Sequence, residues 1–102
     1  MPSFKYILKG KKVVLEDDLL KWANWFETAD RQVRIEIIKK VQVSTVFLGL
    51  DHNLTGKGKP ILFETMVFGG KSDGFQQRYS TWKEAEEGHE KALKLVKSEL
   101  KT

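Results

Sequence analysis

The fold is decided by the stretch VSTVFLGLDHN, residues 43–53, in which a run of β-forming side chains leads straight into three polar ones. If this run is a strand that extends from Val41 to Leu50, its side chains lie alternately on opposite faces. Both faces become apolar from Val46 onward, which is typical of an interior strand of a sheet. The stretch therefore predicts a central strand over Val41–Leu50. Three polar residues follow at its end: Asp51, His52 and Asn53.

The patterns around this strand predict further strands. Residues 33–37 alternate between apolar and charged side chains, as a half-buried strand does, and residues 60–70 contain another strong strand. Two short β-prone runs, residues 4–8 and 13–15, surround Gly10 and predict a hairpin. Residues 76–80 predict a brief last strand.

Two segments have the spacing of apolar residues that indicates an amphipathic helix. The first is LLKWANWFETA, residues 19–29, which an aspartate at position 17 or 18 can cap. The second begins at STWKEAEEGH and continues to the C-terminus. In it Thr81 and Glu84 have the spacing of a capping box, in which each side chain bonds the backbone amide of the other residue.

Together these elements predict an α+β fold for a single domain that spans residues 1–102. The order is β-β-α-β-β-β-(β)-α, and it fits an antiparallel β-sheet with two α-helices packed on one face. The residues that we expect in the core are Trp22, Phe26, Trp82 and Val96.

The composition restricts the class of protein. The 102 residues are 40% hydrophobic and contain no cysteine, which excludes a disulfide framework and thiol chemistry. The N-terminal MPSFKYILKGKK lacks the pattern of a signal peptide, and no apolar run approaches the roughly 18 residues of a membrane helix. We therefore expect a soluble, cytoplasmic protein without a membrane partner. The formal charge of +4 comes from scattered lysines, which favours no specific nucleic acid as partner.

The polar residues at the end of the central strand form the first candidate site. Asp51 and His52 point to opposite sides if the strand continues to them, and a rigid strand end can hold ligand-binding groups. The alternative is that Asp51 and Asn53 form a turn through side-chain-to-backbone bonds, with His52 covering the edge.

Glu64 is a second candidate, because it shares a predicted strand face with Leu62, Met66 and Phe68. A carboxylate in such a setting needs a specific partner, or its pKa rises, unless that face is open to water.

The last helix and the strand before it supply the remaining candidates. His89 lies on the apolar stripe of the helix, where a ligand-binding role and that of a satisfied core residue are both open. The preceding Gly88 indicates the close approach of another group, because glycine in mid-helix costs about 1 kcal/mol relative to alanine. Arg78 can hold a phosphate or carboxylate, and Tyr79 or Trp82 can stack on a base. The alternative is that Arg78 pairs with a nearby acid and Trp82 lies in the core.

No established catalytic or cofactor motif is present. The two histidines and nearby carboxylates have none of the spacings of a metal site, and neither Ser44 nor Ser80 lies in a nucleophile elbow. The segment LTGKGKP, residues 54–60, is glycine-rich and basic but lacks the phosphate-loop spacing and leads into a strand. We therefore expect no metal and no cofactor.

Three blocks, VSTVFLGLDHN, LFETMVFGG and RYSTWKEAEEGH, resemble a family of small, functionally uncharacterised proteins of bacteriophages and prophages. The resemblance covers roughly Trp22 to the C-terminus. It implies an accessory protein that works in the cytoplasm of a bacterial host, and it implies no activity. The polar positions that match are Thr45, Asp51, His52, Asn53, Glu64, Thr65, Arg78, Tyr79, Glu84 and His89.

The leading functional hypothesis is a binding protein without catalysis, which either sequesters a small anionic, nucleotide-like host molecule or occludes a host protein. Its candidate ligand-binding residues are Asp51, His52, Glu64, Arg78, Tyr79 and His89. One alternative is a hydrolase that acts on a phosphorylated or nucleotide substrate through His52, Glu64 or His89. A second alternative is a weak nucleic-acid-binding protein, and assembly as a homo-oligomer is left open.

Overall fold

The structure is a computed structural model that describes residues 4–101, and it contains six strands and two helices within that range. The strands are β1 (Tyr6–Lys9), β2 (Lys12–Leu15), β3 (Gln32–Ile38), β4 (Val41–Phe47), β5 (Phe63–Phe68) and β6 (Gln76–Tyr79). The helices are α1 (Leu19–Thr28) and α2 (Trp82–Leu100). The α+β class and the order of the elements are confirmed. Of the stretch considered above as a signal peptide, Met1–Ser3 lie outside the described residues.

The strands form two antiparallel sheets instead of one. β1 and β2 make a hairpin, and the other four strands form a sheet in the order β3-β4-β5-β6. A single bridge between Lys5 and Leu50 connects the hairpin to the segment after β4. β4 is therefore an interior strand, as expected, because it pairs with β3 on one side and β5 on the other.

The central strand ends at Phe47, three residues earlier than the sequence predicts. Gly49 has a φ of +79°, a left-handed conformation that is available mainly to glycine, so the extended backbone is interrupted there. A Cβ atom at Gly49 would lie 2.8 Å from the ring of Phe26, and the indole nitrogen of Trp22 donates to the Gly49 carbonyl oxygen at 3.1 Å. The packing of α1 on this point ends the strand.

The core lies between the sheet and the helices. The inner face of the four-stranded sheet, which we define by Val43, Thr45, Phe47, Thr65 and Val67, is fully buried. Helix α2 packs on it through four buried apolar residues, Ala85, Ala92, Leu93 and Val96. Helix α1 reaches the same face, where the ring of Trp25 meets that of Phe47 edge-on at 5.8 Å. Helix α2 therefore covers one face of the four-stranded sheet, as predicted, whereas α1 packs mainly on β1 of the hairpin and touches that face through Trp25.

The expectation for the core is correct for Val96 and wrong in part for the three aromatic residues. Trp22, Phe26 and Trp82 are only partly buried. Helix α1 has no buried residue, because it packs mainly on β1 of the two-stranded hairpin. Trp82 directs its indole nitrogen to Glu86 at the surface, 2.6 Å away.

The outer face of the four-stranded sheet carries no helix in the part of the chain that the structure describes. The cross-strand register places eleven side chains on this face: Gln32, Ile35, Ile37, Gln42, Ser44, Val46, Glu64, Met66, Phe68, Gln76 and Arg78. Across residues 4–101 no helix is long and apolar enough to cross a membrane.

Candidate functional site

A buried polar cluster lies at the centre of the inner face. Thr45 of β4 and Thr65 of β5 are directly opposite each other, and both side chains are fully buried. Their hydroxyl oxygens are 2.5 Å apart, and Thr45 Oγ1 is 2.7 Å from Nδ1 of the buried His89 on α2. Helix and sheet are thus joined in the middle of the core by polar contacts.

The hydrogen bonds of this cluster run in one direction from Tyr79 to Glu36. The carboxylate Oε1 of Glu36 lies 3.1 Å from His89 Nε2, and because a carboxylate accepts, Nε2 carries the proton. Nδ1 of His89 therefore accepts from Thr45, and Thr45 in turn accepts from Thr65. Tyr79 donates its hydroxyl proton to Thr65 Oγ1 at 3.1 Å. Every buried side-chain polar atom in residues 4–101 has a partner.

An ion-pair network closes the cluster on the side of β3. The guanidinium of Arg34 bridges Glu36 on its own strand and Glu90 on α2. The hydrogen bond with Glu90 is the main cause that raises the pKa of Arg34, and the same bond lowers the pKa of Glu90. Burial lowers the pKa of His89, and Arg34 adds to that effect while Glu36 opposes it, so the imidazole is neutral at neutral pH.

On the side of β6 the same cluster ends at a groove. Tyr79 lies against Gly88, where a Cβ atom would be only 2.0 Å from the tyrosine hydroxyl, so the close approach predicted for this glycine is confirmed. Burial raises the pKa of Tyr79. The groove between β6 and α2 has a volume of about 530 Å³. Its lining includes Gln77, Arg78, Tyr79, Glu87, Gly88 and Lys91.

Glu64 and Arg78 lie on the outer face of the sheet as a cross-strand pair. The Nε of Arg78 is 2.9 Å from Glu64 Oε2, and the amide of Gln76 donates to the same oxygen at 2.5 Å. Glu64 thus has a specific partner, as one of the two interpretations requires. Met66 and Phe68 share its strand face as predicted, but Leu62 is buried with Phe47 and Phe63 because β5 begins only after it.

Asp51 and Asn53 form the turn that the alternative interpretation describes. Asp51 Oδ1 accepts from the backbone amides of Asn53 at 2.8 Å and Ile61 at 2.9 Å, which closes the base of the loop. The side-chain amide of Asn53 donates to the carbonyl oxygens of Lys57 and Lys59 inside it. His52 donates from Nδ1 to the carbonyl oxygen of Leu50 at 2.8 Å.

The six candidate residues therefore lie in three places. Tyr79 and His89 are linked through the two threonines on the inner face. Glu64 and Arg78 pair on the outer face, and Asp51 and His52 lie in the loop after β4. The convergence on one pocket that would explain the polar strand end is absent from this geometry, because the backbone leaves the strand at Gly49 before the polar residues begin.

The candidate residues predicted from the sequence do not include five residues that complete the polar cluster: Arg34, Glu36, Thr45, Thr65 and Glu90. Thr45 and Thr65 entered only as polar positions that match the resembled family. The two threonines carried a readable signal, because each lies between apolar residues on the inner face of its strand, where a hydroxyl requires a partner. Arg34 and Glu36 carried none, because alternate charged residues on an edge strand are indistinguishable from a solvated face.

A hollow at the opposite end of α2 is lined by three lysines. Its volume is about 230 Å³, and its lining consists of Ile38, Lys39, Lys97, Leu100 and Lys101. The lysines come from the β3–β4 turn and from the end of α2, so residues that look scattered in the sequence are neighbours in space. Among residues 4–101 no group of three histidine, cysteine, aspartate or glutamate side chains is placed to hold a metal ion.

Comparison with known proteins gives no relative: no family model, no curated protein and no solved structure matches this chain.

Proposed function

We propose that this chain is a binding protein without catalysis, and that it occludes a partner protein through the outer face of its four-stranded sheet. In the setting that the phage-family resemblance implies, the partner is a protein of the bacterial cytoplasm. The observation that carries the proposal is the exposure of three large apolar side chains on that face: Ile35 at 49%, Ile37 at 69% and Phe68 at 45%.

These side chains form one surface because of the strand register. Ile37 and Phe68 lie on either side of Gln42 in one row across the sheet, and Ile35 is in the next row with Met66. At the other end of the face the ion pair of Glu64 and Arg78 forms a polar border. Ile35 and Ile37 on β3, and Met66 and Phe68 on β5, thus flank the polar Gln42 and Ser44 of β4. A surface that combines exposed aliphatic, aromatic and methionine side chains with hydrogen-bonding groups has the composition of a protein interface.

The geometry gives less support to the hydrolase alternative. His89 is fully buried and faces the inner side of the sheet, whereas Glu64 is on the outer side in a salt bridge. His52 is in the loop and bonds its own backbone region. These three groups lie in separate places, so no two of them can act on the same substrate atom as acid, base or nucleophile.

The test is affinity capture from a bacterial lysate with the wild-type protein and two single variants. Ile37→Lys replaces the most exposed of the three apolar side chains of the outer face by a charged one, and Leu54→Lys introduces a charge in the loop after β4, where the side chain is 94% exposed. We expect a protein captured by the wild type and by Leu54→Lys to be lost with Ile37→Lys, because burying an unpaired charge costs several kcal/mol.

The outcome is compared with the stability and the size of each variant. Both substitutions are at exposed positions, so both variants should unfold within about 0.5 kcal/mol of the wild type. Equal capture by all three proteins would contradict the proposal. If sedimentation shows a wild-type dimer that Ile37→Lys converts to a monomer, the outer face serves self-association and the occlusion of a partner is overturned.

The lysine-lined hollow favours a second candidate, the sequestration of a small anionic, nucleotide-like molecule. Three ammonium groups around one hollow attract phosphate, and Ile38 and Leu100 supply apolar surface beside them. Titration with ATP, monitored by amide NMR shifts, should move residues 38–39 and 97–101 in the wild type. The movement should disappear in Lys97→Glu and persist in Lys59→Glu, which has its lysine in the loop after β4.

A further inference from the structure

The outer edge of β6 presents unpaired backbone groups. The amide of Val67 donates to the carbonyl oxygen of Phe75, so the backbone groups of Val67, and by alternation those of Thr65, point toward β6. The residues opposite them, such as Gln77, point back into the sheet. The amides and carbonyls of the alternate residues, Gln76 and Arg78, therefore point outward, where residues 4–101 place no further strand.

A groove runs along this edge and makes it different from the other edge of the sheet. Beside β3 the space next to α2 is bridged by Arg34 and Glu90. Beside β6 there is no such bridge among residues 4–101, and the side of α2 that faces the strand has Gly88 at its middle. The result is a groove of about 530 Å³, and Tyr79, whose ring lies against Gly88, is part of its lining.

The helix wall of the groove carries two charges in a defined arrangement. Glu87 and Lys91 are one helical turn apart and both line the groove, and the side chain of neither makes a hydrogen bond or ion pair within residues 4–101. The neighbouring charges are already engaged: Glu84 caps the helix through Thr81, and Arg78 pairs with Glu64 on the opposite face. Lys91 is therefore the cation that an incoming acidic side chain would meet.

We propose that an extended peptide segment of another protein binds in this groove as an added strand on β6. Its backbone pairs with the outward amides and carbonyls of Gln76 and Arg78, which gives affinity without regard to sequence. Every second side chain then points into the groove. An apolar side chain fits over Tyr79 and Gly88, and an acidic one fits opposite Lys91. This site is separate from the outer face, and the proposal does not depend on the function assigned to that face.

The experiment begins with a displayed library of random twelve-residue peptides, selected on the wild-type protein, and continues with synthetic copies of the enriched sequences. We expect an apolar and an acidic residue two positions apart. Hydrogen exchange should show fast amides at Gln76 and Arg78 in the unbound protein, and these two should slow when a peptide is bound. The amides of Gln77 and Tyr79, which pair with β5, should be slow in both states.

Two variants with a matched control test the two kinds of contact. Gln76→Pro removes one outward donor and leaves the pairing with β5 intact, so we expect peptide affinity to fall by at least about tenfold. Lys91→Glu should weaken the acidic peptides by at least about tenfold, and Lys94→Glu, on the same helix outside the groove, by less than about twofold. If Gln76→Pro does not fold, peptides with N-methyl groups at alternate amides replace it, because they remove the same hydrogen bonds from the ligand.

Three results would overturn the proposal. The first is that no peptide binds more tightly than about 100 μM. The second is that bound peptides leave the exchange of Gln76 and Arg78 unchanged or instead perturb Ile37 and Phe68, which would place them on the outer face. The third is that the two amides are already protected in the unbound protein through pairing with a second copy.

Discussion

The substitution Gly88→Ala adds only one methyl group, and we expect it to destabilise the fold. Alanine is the better helix former by about 1 kcal/mol, so an open site would be stabilised by Gly88→Ala. Here the new Cβ would lie 2.0–2.3 Å from three atoms of Tyr79, and moving that ring breaks its bond to Thr65. We expect a net loss of about 1–3 kcal/mol in chemical denaturation. The neighbouring exposed change Glu87→Ala is the control, and a stabilised Gly88→Ala protein would contradict the packing described for the groove.

His89 makes the stability of the fold depend on pH. Burial lowers the pKa of His89 below its usual value of about 6.5. At pH values between the folded pKa and 6.5, His89 is therefore protonated in the unfolded chain and neutral in the folded protein, which destabilises the fold. The contribution is therefore complete above pH 6.5 and is lost as the pH falls toward the folded pKa. Denaturation curves measured between pH 7.5 and 5 should show falling stability.

The assignment of this dependence to His89 needs a variant that cannot titrate. His89→Gln retains a donor toward Glu36, and its stability should fall less steeply than that of the wild type over the same pH range. His52→Gln makes the same substitution in the loop after β4 and should keep the contribution from His89. Equal slopes in wild type and His89→Gln would show that the buried imidazole is not the titrating group.

At the scale of the element, the β3–β4 turn is built from residues poorly suited to it. Lys39 and Lys40 both have positive φ, 46° and 72°, the pattern of a two-residue hairpin turn that favours Asn-Gly. The double variant Lys39→Asn with Lys40→Gly should be more stable than the wild type by about 1 kcal/mol in thermal or chemical denaturation, because glycine has no Cβ to strain.

A control separates the backbone from the charge. The double variant Lys39→Gln with Lys40→Gln removes the same two charges but retains a Cβ atom and a long side chain at both positions. Its free energy of unfolding should therefore stay within about 0.5 kcal/mol of the wild type. If the two double variants are equally stabilised, charge repulsion at this end of the molecule is the cause and the turn geometry is not.

The elements were predictable because their periodicity is local. The capping box of Thr81 and Glu84 is present as predicted, and the alternation of residues 33–37 lies on a strand, β3. The faces of β3 are the reverse of those that the alternation predicts, because Ile35 and Ile37 are exposed and Glu36 faces His89 of α2. The end of β4 was not predictable in this way, because Gly49 takes a positive φ to accommodate Phe26 from a helix some twenty residues earlier. The candidate sites show the same difference between local and long-range contacts. The turn of Asp51 and Asn53 could be predicted because its bonds are local, whereas the contact of Glu36 with His89 could not, because it joins residues 53 positions apart.

At the scale of the whole molecule, the shape is elongated. Its extents are 50 × 30 × 20 Å, and its radius of gyration of 14.9 Å exceeds the roughly 13 Å of a compact domain of this length. Helix α2 covers the inner face of the four-stranded sheet, while α1 packs mainly on the β1–β2 hairpin, which joins the sheet through the segment after β4. An elongated chain of 102 residues with one open sheet face has much surface for partners relative to its core.

The charge distribution predicts weak, salt-sensitive binding to duplex DNA. Lys39, Lys97 and Lys101 are the lysines gathered at one hollow, and three phosphate contacts correspond to a loss of about fortyfold in affinity between 50 and 200 mM salt. Fluorescence anisotropy with a labelled duplex measures this loss. Lys97→Glu should weaken all sequences alike, and tight sequence-selective binding at physiological salt would contradict the ranking of partners given above.

The strictly sequential order β3-β4-β5-β6 has a consequence for how the chain folds. Each pairing joins strands that are neighbours in the chain, so the β3–β4 hairpin needs to close only a two-residue turn, and such hairpins form within microseconds. The β4–β5 pairing must close the longer loop of residues 48–62, at a higher cost in entropy. Helix α2 reaches Arg34 and Glu36 across more than fifty residues, so the chain should acquire its sheet from β3 outward and lock it last, when His89 docks under the two threonines.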